Sequence, residues 1–404
     1  MYIPTSLISR KRYIDQITPF MDKSIIKVMT GQRRVGKSYL LFQLIQQLKE
    51  TKPEANIIYI NCEDIAFSDI KDADSLHKYI VSNSIKNESN YIFIDEVQDV
   101  IDFEKALRSL LLTEGNDIYI TGSNANLLSG ELATYLGGRY IEFPIYSLSY
   151  CEFLEFHTLV DSNESYLLFI KYGGLPYLVN LALTDEVAWD YLYSIYSTIL
   201  LRDVVTRNKL RNIAFFEQLV LFLADNIGSL FSAKKISDYL KSQQVSITSV
   251  QIQNYVEYLK SAFLIHAVRR YDITGKRFFE IGEKYYFENL GLRNAVIGFK
   301  ATDRAKLLEN VVYNHLLYLG YKVNVGSLNV YEIDFIGERK GERIYVQVTQ
   351  GIDNQKTFDR EFGNLLKIQD NYPKWIITED DFQGNSIEGI KVIPVRKFLL
   401  ADKI

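Results

Sequence analysis

The sequence predicts an α/β protein, with a parallel sheet core in its first 150 residues and a second α/β region towards its carboxyl end. The main observation is that short apolar segments alternate with segments of helical periodicity in the first part of the chain. Strands that are apolar throughout and separated by helices are typical of a parallel sheet covered on both faces. The second observation is a glycine-rich stretch, "MTGQRRVGKSYLLFQLI" at 29–45, placed where the first strand would meet the first helix.

Four strands are predicted in the core, and helical patterns separate them. The predicted strands are 24–30, 56–64, 91–96 and 117–123. The predicted helices are 37–50, 72–86 and 103–113, where apolar side chains recur at helical spacing.

Beyond the core the pattern becomes helical. Residues 150–210 contain helices interrupted at "GGLP", residues 173–176. Residues 212–283 contain three helical patterns and then two strands around a turn at Thr274-Gly275, which predicts a winged helix-turn-helix. From about residue 300 an amphipathic helix precedes further strands and helices, which predicts another α/β domain.

Composition excludes several classes of protein. The chain has 404 residues, 47% apolar and 24% charged, which is typical of a globular protein with roughly two to four domains. A net charge of −4 gives no overall attraction to nucleic acids or membranes. Cys62, Cys151 and four histidines predict neither a disulfide framework nor a zinc site. Because no apolar run approaches the ~20 residues of a membrane span, we expect a cytoplasmic protein with no membrane partner.

Residues 31–38, "GQRRVGKS", fit the pattern G-x-x-x-x-G-K-[ST] at every fixed position. Glycines let successive backbone N–H groups face phosphate oxygens, and the following helix adds its positive end. Lys37 is expected to reach the β- and γ-phosphates of ATP, and the Ser38 hydroxyl is expected to ligate Mg²⁺. The expected ATP-binding residues are Gly31, Gln32, Arg33, Arg34, Val35, Gly36, Lys37, Ser38 and Tyr39.

A second chemical element follows the loop in "YIFIDEVQ", where four apolar residues end in Asp95 and Glu96. Asp95, at the strand tip, is expected to hold the Mg²⁺ water shell, so it joins Ser38 as a candidate metal ligand. Glu96 is expected to polarise the attacking water, which makes it a candidate catalytic residue together with Lys37. Alone, this pair could be a solvated acidic turn, but its combination with the loop favours a single site.

Two further candidates come from the segments after the fourth strand. The strand ends in "ITGSN", and its tip is expected beside the Asp95 strand, so Ser123 or Asn124 could contact the γ-phosphate or the attacking water. Ser-Asn after Gly is also a common turn. Arg139, in "LGGRYIEFP", is a third candidate catalytic residue, because a guanidinium could neutralise transition-state charge in its own or a neighbouring subunit. Pairing with a surface carboxylate is the alternative.

Several stretches together resemble a prokaryotic AAA-like ATPase family related to the archaeal-type and STAND P-loop ATPases. They are "KVMTGQRRVGKSYLL", "YIFIDEVQ", "ITGSN", "GGRYIEFPIYSLSYCEF", "YGGLPYL" and "LRDVV". Later stretches, including "KYYFENLGLRNAVIG" and "EIDFIGER", are similar to the C-terminal domain of unknown function that members carry. The resemblance spans nearly the whole chain and implies ATP binding and hydrolysis, but no substrate.

The expected organisation follows from these patterns and this resemblance. It comprises a P-loop NTPase sheet core at 1–160, a helical lid at 161–211, a winged helix at 212–283 and a restriction-endonuclease-like α/β domain at 284–404.

The last of these domains is similar to the PD-(D/E)xK fold, whose active members combine a helical Glu, an Asp and an E-x-K strand around a metal. Glu309 lies on the predicted helix, and Asp334 follows Glu332 in "YEIDF". Gln347-Val348-Thr349 stands where E-x-K is expected, and Lys356 offers no matching spacing. Gln lacks the carboxylate charge and Thr lacks the ammonium, so we expect an inactive nuclease fold.

The winged-helix region carries a small basic excess, with 9 Lys or Arg and 6 Asp or Glu at 211–280. Arg269, Arg270, Lys276 and Arg277 surround the predicted wing turn. Such a wing could follow a DNA backbone. A solvated hairpin or an inter-domain contact explains the same charges.

The leading functional hypothesis is a Mg²⁺-dependent ATPase whose nucleotide state moves the helical and winged-helix segments. "GGLP" and "LRDVV" are the candidate coupling elements, and Arg202 is a candidate reporter of the γ-phosphate. The alternative is a slow nucleotide-gated switch that binds DNA or protein, and a third hypothesis is an ATP-gated DNA nuclease. DNA and further copies of the chain are the candidate partners besides ATP.

Overall fold

The computed structural model describes residues 4, 7–125, 135–245, 247–275, 282–351, 355–380 and 386–402. The chain forms two compact units, Met1–Tyr146 with Ser261–Phe263 and Ser147–Lys260 with Leu264–Ile404. The first contains a five-stranded sheet, and the second contains a nine-stranded sheet and its helices. This architecture confirms the predicted α/β class.

All five strands of the first sheet are parallel and lie in the order β2-β3-β4-β1-β5, which confirms the predicted P-loop-type core. The strands are β1 Ile26–Thr30, β2 Asn56–Asn61, β3 Asn90–Asp95, β4 Asn116–Gly122 and β5 Tyr140–Pro144. The helices described in this unit include α1 Lys11–Ile17, α2 Lys37–Thr51, α3 Ala73–Asn83 and α4 Phe103–Leu110.

Strand β5 is the core strand that the sequence pattern does not predict. Only Phe143 is buried in it, so the segment lacks the continuous apolar run of β1 and β3. The strand lies at one edge of the sheet, with Tyr140 opposite Ile26 of β1. An edge strand has fewer contacts to satisfy than a central one, and its sequence is correspondingly less apolar.

The core of the first unit places three strand ends next to one another. Val28, Ile94 and Ile120, from β1, β3 and β4, are fully buried in one hydrophobic cluster. Burying each such side chain contributes about 1.5–3 kcal/mol. Because the strands are parallel, the segments that follow Thr30, Asp95 and Gly122 meet at the carboxyl edge of the sheet, where ligands bind in open α/β sheets.

The second sheet is mixed, with the order β13-β14-β12-β11-β10-β9-β7-β8-β6. Its strands are β6 Leu230–Phe231, β7 Ile265–Asp272, β8 Glu283–Phe287, β9 Lys322–Leu328, β10 Tyr331–Arg339, β11 Glu342–Thr349, β12 Lys374–Thr378, β13 Ser386–Ile387 and β14 Ile390–Pro394. The described α-helices of these regions are α5 Tyr150–His157, α6 Asn163–Tyr172, α7 Asp185–Thr198, α8 Ile213–Asp225, α9 Ala233–Ser242, α10 Ser249–Ser261, α11 Leu290–Ile297, α12 Arg304–Tyr318, α13 Gln355–Leu366 and α14 Val395–Leu399. Among the described residues, no helix has the length and apolar content needed to cross a membrane.

The region predicted as a winged helix has the element order α8-β6-α9-α10-β7-β8. Strand β8 is antiparallel to both β6 and β7. The predicted wing residues Lys276 and Arg277 lie outside the described residues. Strand β7 also pairs in parallel with β9, so the same sheet continues into the carboxyl-terminal strands. The division of the chain into four domains stays a prediction.

The carboxyl-terminal region follows the order α12-β9-β10-β11-α13-β12. Strand β10 is antiparallel to both β9 and β11, whereas β12 is parallel to β11. The parallel step from β11 to β12 requires a crossover, and α13 supplies it.

The predicted break at "GGLP" coincides with a close approach of two backbones. Gly173 ends α6 with a φ of +71°, and a Cβ there would lie 2.3 Å from Asn289 Oδ1. Gly291, in α11, would place a Cβ 1.9 Å from the carbonyl oxygen of Tyr172. Both glycines are therefore needed for α6 and α11 to contact each other.

Candidate functional site

The phosphate loop joins β1 to α2, and its two fixed glycines have positive φ angles. Gly31 has a φ of +154°, and a Cβ there would lie 2.1 Å from the carbonyl oxygen of Ile145, just beyond β5. Gly36 has a φ of +97° and is the N-cap of α2. Both positions therefore require glycine, for space in one case and for backbone conformation in the other.

Lys37 is buried, and its ammonium group lies inside the loop. Nζ donates hydrogen bonds to the carbonyl oxygens of Gly31 and Gln32, each at 3.0 Å. It also lies 3.6 Å from Glu96 Oε1. The structure thus brings together the loop lysine and the carboxylate from the end of β3.

Asp95 ends β3 and is only 2% exposed. The Thr121 hydroxyl, on the neighbouring β4, donates to Asp95 Oδ1, and the Tyr59 hydroxyl donates to Oδ2 at 3.3 Å. Burial raises the pKa of Asp95, and the negative charge of Glu96 adds to this, while hydrogen bonds from Ser38 and Thr121 oppose it.

The donor set of Ser38 and Asp95 fits a magnesium ion. Their side-chain oxygens are hydrogen-bonded to each other, and hard oxygen ligands are those that Mg²⁺ prefers. Burial is the largest cause of the raised pKa of Asp95, because it disfavours the charged carboxylate. A cation held by these two side chains would favour the charged form.

Glu96 lies in the turn after β3 with a φ of +55°, and it is 7% exposed. The Ser123 hydroxyl donates to its Oε2 at 2.8 Å, and Gln98 Nε2 donates to the same oxygen. Burial alone would raise the pKa of Glu96, but the charge of Lys37 and the hydrogen bonds from Gln98 and Ser123 outweigh it and lower the pKa to about 2. Glu96 is therefore ionised, the form that can accept a proton.

Gln32 and Arg33 connect the loop to its surroundings. Arg33 is buried, and its guanidinium pairs with Glu63, beyond the end of β2, at 3.0 Å. Gln32 is fully buried, and its Nε2 donates to the carbonyl oxygen of Phe263 at 2.9 Å. Phe263 belongs to the same compact unit and lies between α10 and β7 in the chain.

Arg10 is a residue of this site that sequence reasoning missed. Its guanidinium is buried and donates to the carbonyl oxygens of Val35, at 3.0 Å, and Tyr146, at 2.9 Å. It also lies over the ring of Tyr13, 4.5 Å from its centroid. Arg10 thus fixes the predicted loop residue Val35 from the amino-terminal segment, and no local pattern around residue 10 indicates this contact.

Arg34 and Tyr39, the other predicted binding residues, are exposed. Arg34 has a φ of +71°. The Tyr39 ring is 49% exposed and packs edge-on against Phe42, with 6.0 Å between ring centroids. Both side chains are accessible beside the loop.

Of the later candidates, Ser123 lies in the site. Arg139 lies away from the site of its own chain. Ser123 is buried against Glu96, and Asn124 beside it is 8% exposed. Arg139 is exposed and precedes β5, and its carbonyl oxygen accepts from the backbone N–H of Ile26. This is the amino edge of the sheet. The length of β5, about 16 Å, separates Arg139 from the edge of the sheet where the loop lies.

Arg202 belongs to the second unit. It lies within a stretch of π-helix, Ile199–Thr206, that continues α7. The neighbouring Asp203 is buried, and Arg207 approaches it at 3.9 Å. A π-helix of this length is uncommon, and such segments often mark functional sites.

The residues that the PD-(D/E)xK resemblance singles out lie in the second unit, and several of them are in contact. Asp334 of β10 and Gln347 of β11 are linked by a hydrogen bond of 2.6 Å from the Asp334 N–H to Gln347 Oε1. Burial raises the pKa of Asp334 strongly, and the charge of Glu309 adds to this. Thr349 Oγ1 donates to the carbonyl oxygen of Gly351 at 3.0 Å. The side chain of Lys356 lies outside the described residues.

Two further side chains, Lys284 and Glu361, belong to this group, and the sequence analysis does not predict them. We call the whole group the acidic cluster: Lys284, Glu309, Glu332, Asp334 and Glu361. The Lys284 ammonium, from β8, lies 3.1 Å from Glu309 Oε1 and 2.7 Å from Glu332 Oε1. Glu361, from α13, accepts a hydrogen bond of 2.8 Å from Gln347 Nε2. Burial lowers the pKa of Lys284, but the charges of Glu309, Asp334 and Glu332 outweigh it and raise the pKa overall.

Two family models match the chain. The one described as "AAA domain" matches residues 23–154, and the one described as "Domain of unknown function (DUF8612)" matches residues 163–303. The first match contains the five-stranded sheet, and the second contains β6, β7 and β8 of the nine-stranded sheet and ends before β9.

Relatives match over nearly the full length. A Haemophilus influenzae protein, named only as uncharacterized, is 40% identical over 403 residues, or 98% of this chain and 99% of the relative. An uncharacterized protein of Methanocaldococcus jannaschii is 33% identical over 401 residues, or 93% of this chain and 88% of the relative. Among solved structures, one of the replication initiator DnaA bound to AMPPCP and single-stranded DNA aligns with this chain at a TM-score of 0.34 and 14% identity. The alignment covers 64% of this chain and 93% of the DnaA chain.

Proposed function

The chain belongs to the family of AAA-domain proteins that includes the Haemophilus influenzae relative, and on this basis we propose that it binds ATP with Mg²⁺ and hydrolyses the γ-phosphate bond. The AAA-like family that the motifs predict is confirmed. One observation supports hydrolysis above all: Lys37, Asp95 and the ionised Glu96 converge at the carboxyl edge of one parallel sheet.

Each of these side chains has a chemical task in the proposed reaction. Lys37 binds the β- and γ-phosphates once its bonds to the loop carbonyls are exchanged for phosphate oxygens. Ser38 and Asp95 would hold Mg²⁺, which neutralises charge on the phosphates. Glu96 accepts a proton from the attacking water, and Ser123 orients the Glu96 carboxylate.

Turnover of ATP with Mg²⁺ and with EDTA tests the proposal. Asp95→Asn keeps the size of the side chain but removes the charge, so it should lower Mg²⁺-dependent turnover while leaving the fold intact. Asp69→Asn, at an exposed position, is the matched control and should turn over at the unchanged rate. Equal turnover in EDTA and Mg²⁺ would contradict the metal assignment.

We propose that Arg139 acts in trans. Its place at the amino edge of the sheet, about 16 Å along β5 from the loop, argues against contact with the nucleotide of its own chain, which leaves the nucleotide of a neighbouring copy. An Arg139→Ala chain and a Lys37→Ala chain should each be inactive, and mixing them should restore turnover at interfaces that combine an intact loop with an intact Arg139. Full activity of Arg139→Ala alone would leave Arg139 as a surface residue.

A second candidate function is a nucleotide-gated switch that binds DNA or protein through the region 212–283. The order α8-β6-α9-α10-β7-β8 supports a winged helix, and the hydrogen bond from Gln32 to Phe263 ties the loop to the segment between α10 and β7. Arg269 is exposed and Arg270 donates to Ser327 Oγ at 3.1 Å, so Arg269 is the better DNA contact of the two. DNA binding that weakens as salt rises, and more so in Arg269→Ala, would support this function.

We propose that the nuclease-like region is inactive. The order α12-β9-β10-β11-α13-β12 supports the PD-(D/E)xK-like fold, but Gln347 and Thr349 replace the acid and the lysine. The Lys284 ammonium already pairs with Glu309 and Glu332 and offsets part of the negative charge that a metal would need. Plasmid DNA incubated with Mg²⁺ or Mn²⁺ should stay intact, and nicking that disappears in Asp334→Asn would contradict this.

A further inference from the structure

Gln98 contacts the catalytic carboxylate from within the turn that follows it. Glu96 has a left-handed backbone conformation, so the next residues, Val97–Asp99, fold back as a short 3-10 turn. The Gln98 side chain thereby returns to Glu96, and its Nε2 donates to Oε2 at 2.5 Å. The same nitrogen lies 3.5 Å from Ser123 Oγ.

The orientation of the Gln98 amide follows from its contact with Glu96. A carboxylate oxygen accepts hydrogen bonds, so the amide presents its nitrogen to Glu96 Oε2 and turns its oxygen away from that one atom. The reversed amide would place two acceptors against each other. The direction of Oε1 therefore follows from the hydrogen bond between the two side chains.

Gln98 Oε1 is buried and accepts no hydrogen bond from the described residues. Leaving a buried acceptor without a donor costs about 1–3 kcal/mol, and such groups in native proteins usually find a ligand or an ordered water. The oxygen belongs to a side chain that touches Glu96 and lies beside Ser123. The unmet acceptor thus belongs to a side chain in direct contact with the carboxylate to which we assign the activation of water.

We propose that Gln98 is a water-positioning residue: Oε1 accepts one O–H of the attacking water while Glu96 accepts the other. This inference rests on the proposed ATPase function. The two acceptors leave a lone pair of the water free to face the γ-phosphorus. As the P–O bond forms, the water proton passes to Glu96, the bond from the γ-phosphorus to the bridging oxygen breaks, and ADP leaves with that electron pair.

Holding the water affects the chemical step more than the binding of ATP. Gln98→Met keeps the approximate shape but removes both the donor and the acceptor. We expect it to lower kcat about 10–100-fold, because small misplacements of a reacting group have effects of this size. The Kd for Mg-ATP should stay within about twofold, since Gln98 approaches the phosphates only through the water.

Gln98→Glu tests the acceptor oxygen of the amide separately from its donor nitrogen. It keeps an acceptor oxygen but replaces the donor to Glu96 with a second carboxylate oxygen, so it should also lower kcat. Gln98→Asn retains both groups one methylene further back, and it should keep more activity than Gln98→Met. A role limited to holding the turn would not produce this order with an unchanged Kd.

Gln47→Met is the matched control. Gln47 also has a buried Oε1 that accepts no hydrogen bond from the described residues, but it lies on α2, where its Nε2 approaches Thr18 Oγ1 at 3.5 Å. The same change of residue type there should leave kcat within about twofold. Thermal unfolding of both variants shows whether either substitution disturbs the fold; Gln98→Asn serves if Gln98→Met does not fold.

The experiment is single-turnover hydrolysis of Mg-ATP, with Kd measured by titration of a fluorescent ATP analogue. A lower single-turnover rate constant in Gln98→Met with unchanged Kd and thermal midpoint supports the inference. Hydrolysis equal to that of Gln47→Met overturns it while the ATPase function stands. A wild-type rate no greater than that of Lys37→Ala overturns the ATPase function itself and the inference with it.

Discussion

The Nζ atom of Lys37 lies 3.6 Å from Glu96 Oε1, and both side chains are buried. The pair joins the loop after β1 to the turn after β3, two segments about 60 residues apart in sequence. Because Lys37 lowers the pKa of Glu96, the carboxylate is charged before any substrate is bound.

Glu96→Gln should abolish most hydrolysis without preventing ATP binding. The amide has the same size but cannot accept the water proton, so we expect turnover to fall about 10²–10⁴-fold with Kd within a few-fold of the original. Single-turnover rates and nucleotide titration measure the two effects. Glu54→Gln, at an exposed position, is the control and should have the turnover of the wild type. Wild-type turnover in Glu96→Gln would show that another group accepts the water proton.

Gly31→Ala should disrupt the loop. Its Cβ would lie 2.1 Å from a backbone oxygen of Ile145, so we expect a loss of about 1–3 kcal/mol in the free energy of unfolding and loss of nucleotide binding. Gly363→Ala is the control: a Cβ at this position in α13 would meet no atom within 4 Å, and the change should stabilise that helix by about 1 kcal/mol. Urea unfolding and ATP titration measure the stability and the nucleotide binding of each variant. Equal losses in Gly31→Ala and Gly363→Ala would show that the geometry of the loop does not cause the loss.

Lys284→Met should destabilise the second unit. The change leaves Glu309 and Glu332 without their cation. Because Glu332 is 37% exposed, we expect a smaller loss than the ~3–5 kcal/mol of a fully buried ion pair. Urea unfolding measures the loss, and the exposed Lys322→Met should have little effect. The double variant Lys284→Met/Glu309→Gln should recover part of the stability. A single variant as stable as the wild type would show that Lys284 is not the counter-ion of the acidic cluster.

His266 should make stability depend on pH in the mildly acidic range. Burial lowers its pKa to about 4, below the ordinary value near 6.5, so the unfolded chain binds more protons between these values. The contribution, about 3 kcal/mol, is complete above pH ~6.5 and is lost as the pH falls towards 4. His266→Phe should remove this slope from the urea-unfolding free energy, whereas His77→Phe should keep it. An unchanged slope in His266→Phe would place the titrating group elsewhere.

The parts of the site that the sequence predicts are those whose chemistry depends on consecutive residues. The loop from Gly31 to Ser38 needs fixed residue types at fixed spacing, and Asp95 and Glu96 follow an apolar strand. Thr121 and Gln98 escape prediction because their roles depend on strand register and on the left-handed turn at Glu96. The partners of Lys284 come from β10 and α12, so only the folded sheet brings them together.

The release of phosphate from Mg-ATP, compared between the wild-type chain and Lys37→Ala, is the decisive measurement for the ATPase assignment. Lys49→Ala, an exposed lysine on the same helix, controls for the loss of a positive charge. We expect sustained turnover by the wild type and by Lys49→Ala, and none by Lys37→Ala. Equal phosphate release by Lys37→Ala and the wild type would show that this site is not an ATPase centre.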